Sequence, residues 1–322
     1  MRTDHPGFML VEKLRRNSSV LITLLTVAVI IGVFQTINPA FLSYGGVRAL
    51  IYAMSYFLIA ACGLTFVILM GSFDFSVVSL LKLAALFCVV YIDRYGMAVI
   101  PLALLITTGF GFVNGLLVGK LNVPSFMATL GVSIVVEGIS LYLSKGHLYL
   151  MYDERFRALA ITEYAGFPVI FYWALFIWLI SVFLALCTPF GRRTYAVGAN
   201  LVAAGLSGVN IARHRIAVFM LSGLYAGIAG VLYMAQLGGG SMLIGADLPV
   251  PLFASIIAGG TALTGGVGGP HRTILGVILI TWTQAGMLML AVGRDIQMLV
   301  FGLIAIILAA ATIDRRRVKL VK

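Results

Sequence analysis

The sequence predicts an all-α polytopic membrane protein of about ten transmembrane helices, some of them discontinuous, with both termini cytoplasmic. Three observations carry that expectation. Hydrophobic residues make up 61% of the 322-residue chain and charged residues only 10%, which is more apolar surface than one soluble core can enclose. Apolar windows long enough to cross about 30 Å of hydrocarbon as helix recur along the whole chain. The basic residues behind the net charge of +11 collect in short loops and at the ends, as positive-inside topology requires. They are not gathered on a polar surface with interleaved aromatics, so a nucleic-acid partner is excluded.

The elements follow in order. A basic tail, 1–18, carries Arg2, Lys13, Arg15 and Arg16 and is placed in the cytoplasm. The apolar stretch at 19–37 has the basic flank of a signal peptide, but the following "FQTINPAFLS" offers no small-x-small cleavage site, so it reads as a retained first span. Further windows lie at 49–70, 75–92, 97–118, 124–143, 168–187, 215–236, 250–266, 273–292 and 295–313. With the N-terminus inside, the inner loops receive Lys120, then Arg192, Arg193, Arg213 and Arg215, then Arg272, and the tail 314–322 receives Arg315, Arg316, Arg317 and Lys319. The outer side keeps Arg48, Arg94, Lys145, Arg155, Arg157 and Arg294, several of them beside acids such as Asp93, Asp153, Glu154 and Asp295. The whole of 1–322 is read as one transmembrane domain.

Two loops stand out by length. The outer loop from Ser144 to Pro168 mixes charges with aromatics, as suits a rim for a docking protein. The inner loop, 188–215, is rich in small residues and bounded by arginines. Within it "NLVAAGLSG" reads as a short helix along the membrane face, with Asn200 as N-cap and Gly208 as the stop.

Two apolar segments are interrupted. "VILMGSFDFSVVSLL" at 67–81 places Gly71, Ser72 and Asp74 in hydrocarbon, and "AGGTALTGGVGGPHRTILG" at 258–276 crowds six glycines into 259–269 before Pro270. Gly-interrupted segments in different halves of a transporter mark discontinuous helices around a solute path, and those beside Gly71 and Gly265 are short enough to be half-helices. Asp74 either caps the next helix or sits at a gate or path; Phe73, Ser76 and Ser79 beside it and Glu137 in a later span complete the candidate path or gate. Lys82 follows Asp74 by about 12 Å of helix and Glu137 lies roughly 20 Å into its own span. At those different depths the two read as independent water-facing or interface positions, a contact between them being the alternative.

Catalytic chemistry does not assemble. The four histidines, His5, His147, His214 and His271, are expected in tails or loops, and the metalloprotease, nucleophile-elbow and Walker A patterns are missing. Cys62, Cys88 and Cys187 lack paired spacing and read as buried free thiols. No metal, and no cofactor bound by this chain, is expected. A proton- or sodium-coupled secondary transporter using Asp74 and Glu137 is the alternative to an ATP-driven system.

In this order "NPAFLS" (38–43), "GLTFVILMGSFDFSVVS" (63–79), "VPSFMATLG" (123–131), "FGRRTYAVGANLVAAGLSGVNI" (190–211), "IIAGGTALTGGVG" (256–268) and "GLIAIILAA" (302–310) make nearly the whole chain resemble the ribose-type permeases, membrane subunits of bacterial ABC importers for monosaccharides. The resemblance implies a multi-pass subunit of the cytoplasmic membrane that works as a homo- or heterodimer of permeases. Its partners would be cytoplasmic ATPase subunits, which bind the ATP and Mg, and a periplasmic solute-binding protein. It places the ATPase-coupling element at Arg192, Arg193, Tyr195, Gly198, Asn200, Gly205 and Gly208, with Arg192, Arg193 and Tyr195 offered to the partner. The chain departs from the family pattern at Ser72, Phe75, Val78, Lys82, Glu137 and Arg272, which leaves the architecture intact and bears on the choice of solute and partner.

Overall fold

The computed structural model describes residues 23–312; the basic tails at 1–18 and 314–322 fall outside the described residues. The fold is helical. In chain order the helices are α1 (Thr23–Ile37), α2 (Tyr44–Leu69), α3 (Ser76–Tyr95), α4 (Val99–Gly119), α5 (Ser125–Ser144), α6 (Glu154–Ile161), α7 (Val169–Cys187), α8 (Pro189–Ala199), α9 (Leu201–Leu206), α10 (Ile211–Leu237), α11 (Pro249–Ala258), α12 (Pro270–Met289) and α13 (Arg294–Thr312). Six helical stretches among the described residues are long and apolar enough to cross a membrane, the α3–α4 stretch of 44 residues being one of them.

That stretch is a hairpin and not one long rod. Gly96 takes φ +53°, a conformation that costs glycine little, and the chain reverses. Asn114, near the end of α4, then donates to the Ser76 hydroxyl at the start of α3 (2.8 Å). The arms are 20 and 21 residues long, each long enough to cross a bilayer, so the segment after Gly71 is not a half-helix. The half-helix is α11: the window expected at 250–266 stops being helical at Ala258, and the chain runs through glycines before α12 begins at Pro270, where a proline at the first helical position leaves no lost donor.

Polar side chains start and stop the other elements. Ser43 caps α2 by accepting from Gly46 N–H, and Asn210 caps α10 by accepting from Arg213 N–H. α10 ends at Gly238, φ +71°. His214 and His271, expected in loops, lie in α10 and α12, and Cys187, expected buried, is exposed at the end of α7. Two short antiparallel strand pairs, which helical periodicity gave no sign of, fold the long loop back on the bundle: β1 (Tyr149–Leu150) with β4 (Gly239–Gly240), and β2 (Glu163–Tyr164) with β3 (Phe167–Pro168).

α2 is buried on every side from Met54 to Leu69, as a helix apolar all round must be. It packs against α7, α10, α11 and α12. The tightest seam joins α4 and α10. Gly111, Gly115 and Gly119 lie one turn apart, and a β-carbon at any of them would run into the backbone of Phe219, Ile216 or Ala212. Gly223 and Gly227 of α10 answer against Thr107 of α4, and Gly230 against Leu81 of α3. Bilayer helices have no hydrophobic force pressing them together, so close backbone approach of this kind does the work of association.

Gly115→Leu should therefore lower the thermal unfolding temperature of the detergent-purified protein by several degrees or abolish its membrane accumulation, the overpacked seam costing at least about 1–3 kcal/mol. Gly109→Leu on the same helix, where the β-carbon meets open space, should leave it unchanged. Equal melting of the two variants contradicts the packing.

Candidate functional site at two helix breaks

The first break runs from Gly71 to Phe75, between α2 and α3. Gly71 takes φ +78° and turns the chain; the loose backbone groups that follow are taken up by side chains of other helices. Phe73 N–H donates to the Ser125 hydroxyl (3.0 Å) and Phe75 N–H to Thr129 (3.1 Å), both on α5. Asp74, 1% exposed, lies between. One carboxylate oxygen accepts from Ser76 N–H (3.0 Å) and from the Ser76 hydroxyl (2.6 Å), and the other accepts from Ser222 of α10 (2.8 Å). The Ser76 hydroxyl also accepts from Asn114 of α4, and Ser79 donates back to the Ser76 carbonyl. The carboxylate thus ties α3, α4 and α10 together at one point. Its bond to Ser76 N–H is made from the residue before the N-cap position, which Phe75 occupies without a side-chain cap of its own.

The second break, Gly259–Gly269, folds on itself through Ala262 N–H to Val267 O (3.1 Å) and Gly269 N–H to the Thr261 hydroxyl (3.1 Å). The two breaks meet. Gly266 N–H donates to the Leu69 carbonyl (2.8 Å), one of the carbonyls that the end of α2 leaves without an intrahelical partner. A β-carbon at Gly265 would lie 2.7 Å from Gly71 N and 3.1 Å from Gly198 Cα. Gly198, on α8, completes the junction: a methyl group there would collide with the Leu69 carbonyl and with Gly266 N.

The α8–α9 segment is thus seated on both breaks. α8 starts at Thr188, whose hydroxyl accepts from Gly191 N–H, and α9 at Asn200, whose side chain accepts from Ala203 N–H (3.0 Å); Gly208, φ +84°, stops it. Tyr195 turns inward and donates to the Gly268 carbonyl (2.7 Å), where the sequence had offered its ring to a partner. Burial pushes its phenol above the ordinary range, with nearby Arg272 opposing, so it remains a donor. Thr194 bonds His214 of α10 (2.9 Å). The outward face carries Arg192 and Arg193 on α8 and, on α9, Leu201, Val202 and Leu206, which are 41, 71 and 86% exposed. Gly205 lies among them, where a β-carbon would meet only the Ile211 side chain, at 3.9 Å.

A seam between α3 and α5 leads away from the first break. Phe75 packs its ring against Phe126 (5.2 Å) and Phe253 of α11 (4.9 Å), and Phe73 lies against Phe253 (6.4 Å). Further along, Lys82 Nζ stands 2.9 Å from both carboxylate oxygens of Glu137. The expectation of two independent positions is therefore corrected: α3 and α5 pack side by side, which cancels the difference in depth counted along each helix. Of the candidate path residues, Asp74, Ser76 and Ser79 are enclosed within the chain, whereas Phe73 and Glu137 reach its surface. Sequence reasoning missed Asn114, Ser125, Thr129 and Ser222. A serine or threonine in an apolar helix commonly bonds its own preceding turn, so only the unmet donors of "GSFDF" could have asked for them.

Asp74→Asn keeps an acceptor for Ser76 N–H and an amide that the Ser222 hydroxyl can meet, while Asp74→Ala strands buried donors at about 1–3 kcal/mol each. In thermal unfolding of the purified protein, Ala should melt many degrees lower or fail to accumulate and Asn should stay close to the parent. An alanine variant as stable as the parent removes the knot.

The family described as "Branched-chain amino acid transport system / permease component" matches residues 46–309. "Probable ABC transporter permease protein YphD" of Escherichia coli K12 is 31% identical, over 90% of this chain and 88% of that protein. "Ribose import permease protein RbsC" of Haemophilus influenzae is 30% identical over 88% and 90%, and "L-arabinose transport system permease protein AraH" of E. coli K12 is 30% identical over 87% and 86%. No solved structure matches the chain. With the match spanning both helix breaks and the α8–α9 segment seated on them, the chain belongs to this family of transport-system permease components and is a non-catalytic, multi-pass inner-membrane subunit of an ABC importer whose ATP is bound by a partner ATPase.

Proposed function

We propose that this permease, as one domain over 1–322, moves a sugar or sugar-like polar solute inward, driven by ATPase subunits that grip α8 and α9. The sugar assignment rests on relatives whose names specify ribose and L-arabinose, and these weigh more than the amino-acid wording of the broad family description. The reading takes ten crossings, by α1, α2, α3, α4, α5, α7, α10, α11 with its break, α12 and α13, and it is supported by a helix lying within each apolar window. The basic asymmetry of the loops supports a cytoplasmic position for both termini and for α8–α9. A second permease, identical or related, completes the membrane part, and a solute-binding protein docks on the opposite end, where Asp153 caps α6 in the long loop.

The observation that carries the reading is the junction of Gly71, Gly198 and Gly265. A push on α8–α9 reaches both helix breaks through backbone contact, with no flexible side chain between. Gly198 and Tyr195 form the inward half of the coupling element. Asn200 and Gly208 delimit α9, Gly205 keeps its surface low, and Arg192, Arg193, Val202 and Leu206 face the ATPase, an apolar knob rimmed by cations as interface cores prefer. The proton- or sodium-coupled alternative loses its two carriers: Asp74 is enclosed by donors and Glu137 is held by Lys82.

The double variant Val202→Glu with Leu206→Glu should reach parental membrane levels yet co-purify at least about tenfold less ATPase, equivalent to about 1.4 kcal/mol, and lose ATP-dependent uptake. Parental ATPase recovery and uptake would contradict the coupling role, and uptake that persists without ATP but collapses with an ionophore would contradict the energy source.

A further inference from the structure

The Lys82–Glu137 pair sits within two membrane-spanning helices, and it is lopsided. The Lys82 side chain is 7% exposed and that of Glu137 39%. A charge facing hydrocarbon costs at least about 2.5–3.5 kcal/mol, so the open side of this carboxylate requires water or a polar group. The surface around it is built to leave room. Gly131 and Gly138 on α5 have nothing within 4 Å of where a β-carbon would lie, and they flank Ile134 on the same exposed face. Glu137 and Phe126 are eleven residues apart, which brings them to one flank of α5 about 16 Å apart. The seam thus has an aromatic floor of Phe73, Phe75, Phe126 and Phe253 at the helix breaks and a forked ion pair above it.

We infer that this pair is the solute-selecting subsite of the transport path, a reading that rests on the function proposed above. Lys82 and Glu137 together carry no net charge as an ion pair, so the subsite suits a neutral solute. The carboxylate has lone pairs beyond the two used by Lys82, and these accept from neighbouring hydroxyls of a polyhydroxylated molecule. Charge-assisted bonds to a carboxylate are stronger than neutral ones, and the partial opening lets them be exchanged as the solute moves on. The phenyl rings about 16 Å below offer apolar surface to the C–H face of the solute at a further point of the seam.

The test uses cells carrying the permease with its ATPase and binding protein, and labelled D-ribose, L-arabinose and D-allose as probes. Glu137→Gln and Lys82→Met should lower ATP-dependent uptake at least tenfold. The exchange Lys82→Glu with Glu137→Lys re-forms the pair and should restore membrane level and thermal stability without restoring uptake. Ile134→Cys, which leaves the pair intact, should react in a Cys187→Ala background with a membrane-impermeant trimethylammonium methanethiosulfonate, whereas Leu179→Cys on the exposed face of α7 should not. Uptake restored within twofold by the exchange makes the pair a structural brace and overturns the inference. An Ile134→Cys that stays unreactive in both right-side-out and inside-out vesicles also overturns it. A parent that takes up none of the three sugars overturns the sugar reading itself, and the subsite with it.

Discussion

The hydrogen bond from Gly266 N–H to the Leu69 carbonyl joins the two places where this chain leaves helix inside an apolar protein, and the arrangement around it follows from that need. In hydrocarbon every unpaired backbone group costs several kcal/mol, so irregular chain survives only where protein covers it. Here each break covers the other. Their backbones must touch, which requires residues without β-carbons at 198 and 265, and the positive φ at Gly71 and Gly265 favours glycine at both. The same contact draws α8 against the bundle, because Gly198 fills the remaining gap.

A break of this kind needs fixing on its other side as well. Asp74 supplies that, collecting donors from Ser76 and Ser222 while Ser125 and Thr129 take the free amides of Phe73 and Phe75. Among the described residues the carboxylate is held by hydroxyls and a backbone N–H and by no cation. Such bonds satisfy the charge while leaving the helices free to exchange partners, since a hydroxyl rotates to a new acceptor more readily than an ion pair dissociates in a low dielectric. The two carboxylates of the candidate site thus differ in setting: Asp74 inside the chain fixes the break, and Glu137, paired with Lys82, reaches the surface.

Much of this was legible in the sequence. Each apolar window contains a helix because hydrocarbon thickness sets a length that composition reveals, and Asn200 and Gly208 delimit α9 because caps are local chemistry. The two breaks were visible as glycine clusters for the same reason. What was not legible depended on which helices are neighbours. Lys82 and Glu137 were read apart because depth was counted along each helix separately, while the packing of α3 on α5 sets their real distance. Tyr195 was given to a partner because nothing local says that Gly268 lies beneath it. The Gly111, Gly115 and Gly119 ladder did carry a signal, small residues one turn apart in an apolar helix, and it foretells the α4–α10 seam without naming α10.

The account makes α8–α9 and the second break one mechanical body. Spin labels at Val202→Cys and Val267→Cys, both exposed, in a Cys187→Ala background allow their separation to be measured by pulsed electron resonance in the purified transporter, with and without a non-hydrolysable ATP analogue. Pairing each with a label at Tyr152→Cys, at the far end of the bundle, gives the reference. The account predicts that the Val202–Val267 distance stays constant while both distances to Tyr152 change together. A nucleotide-dependent change between Val202 and Val267 as large as the change to the reference would contradict it.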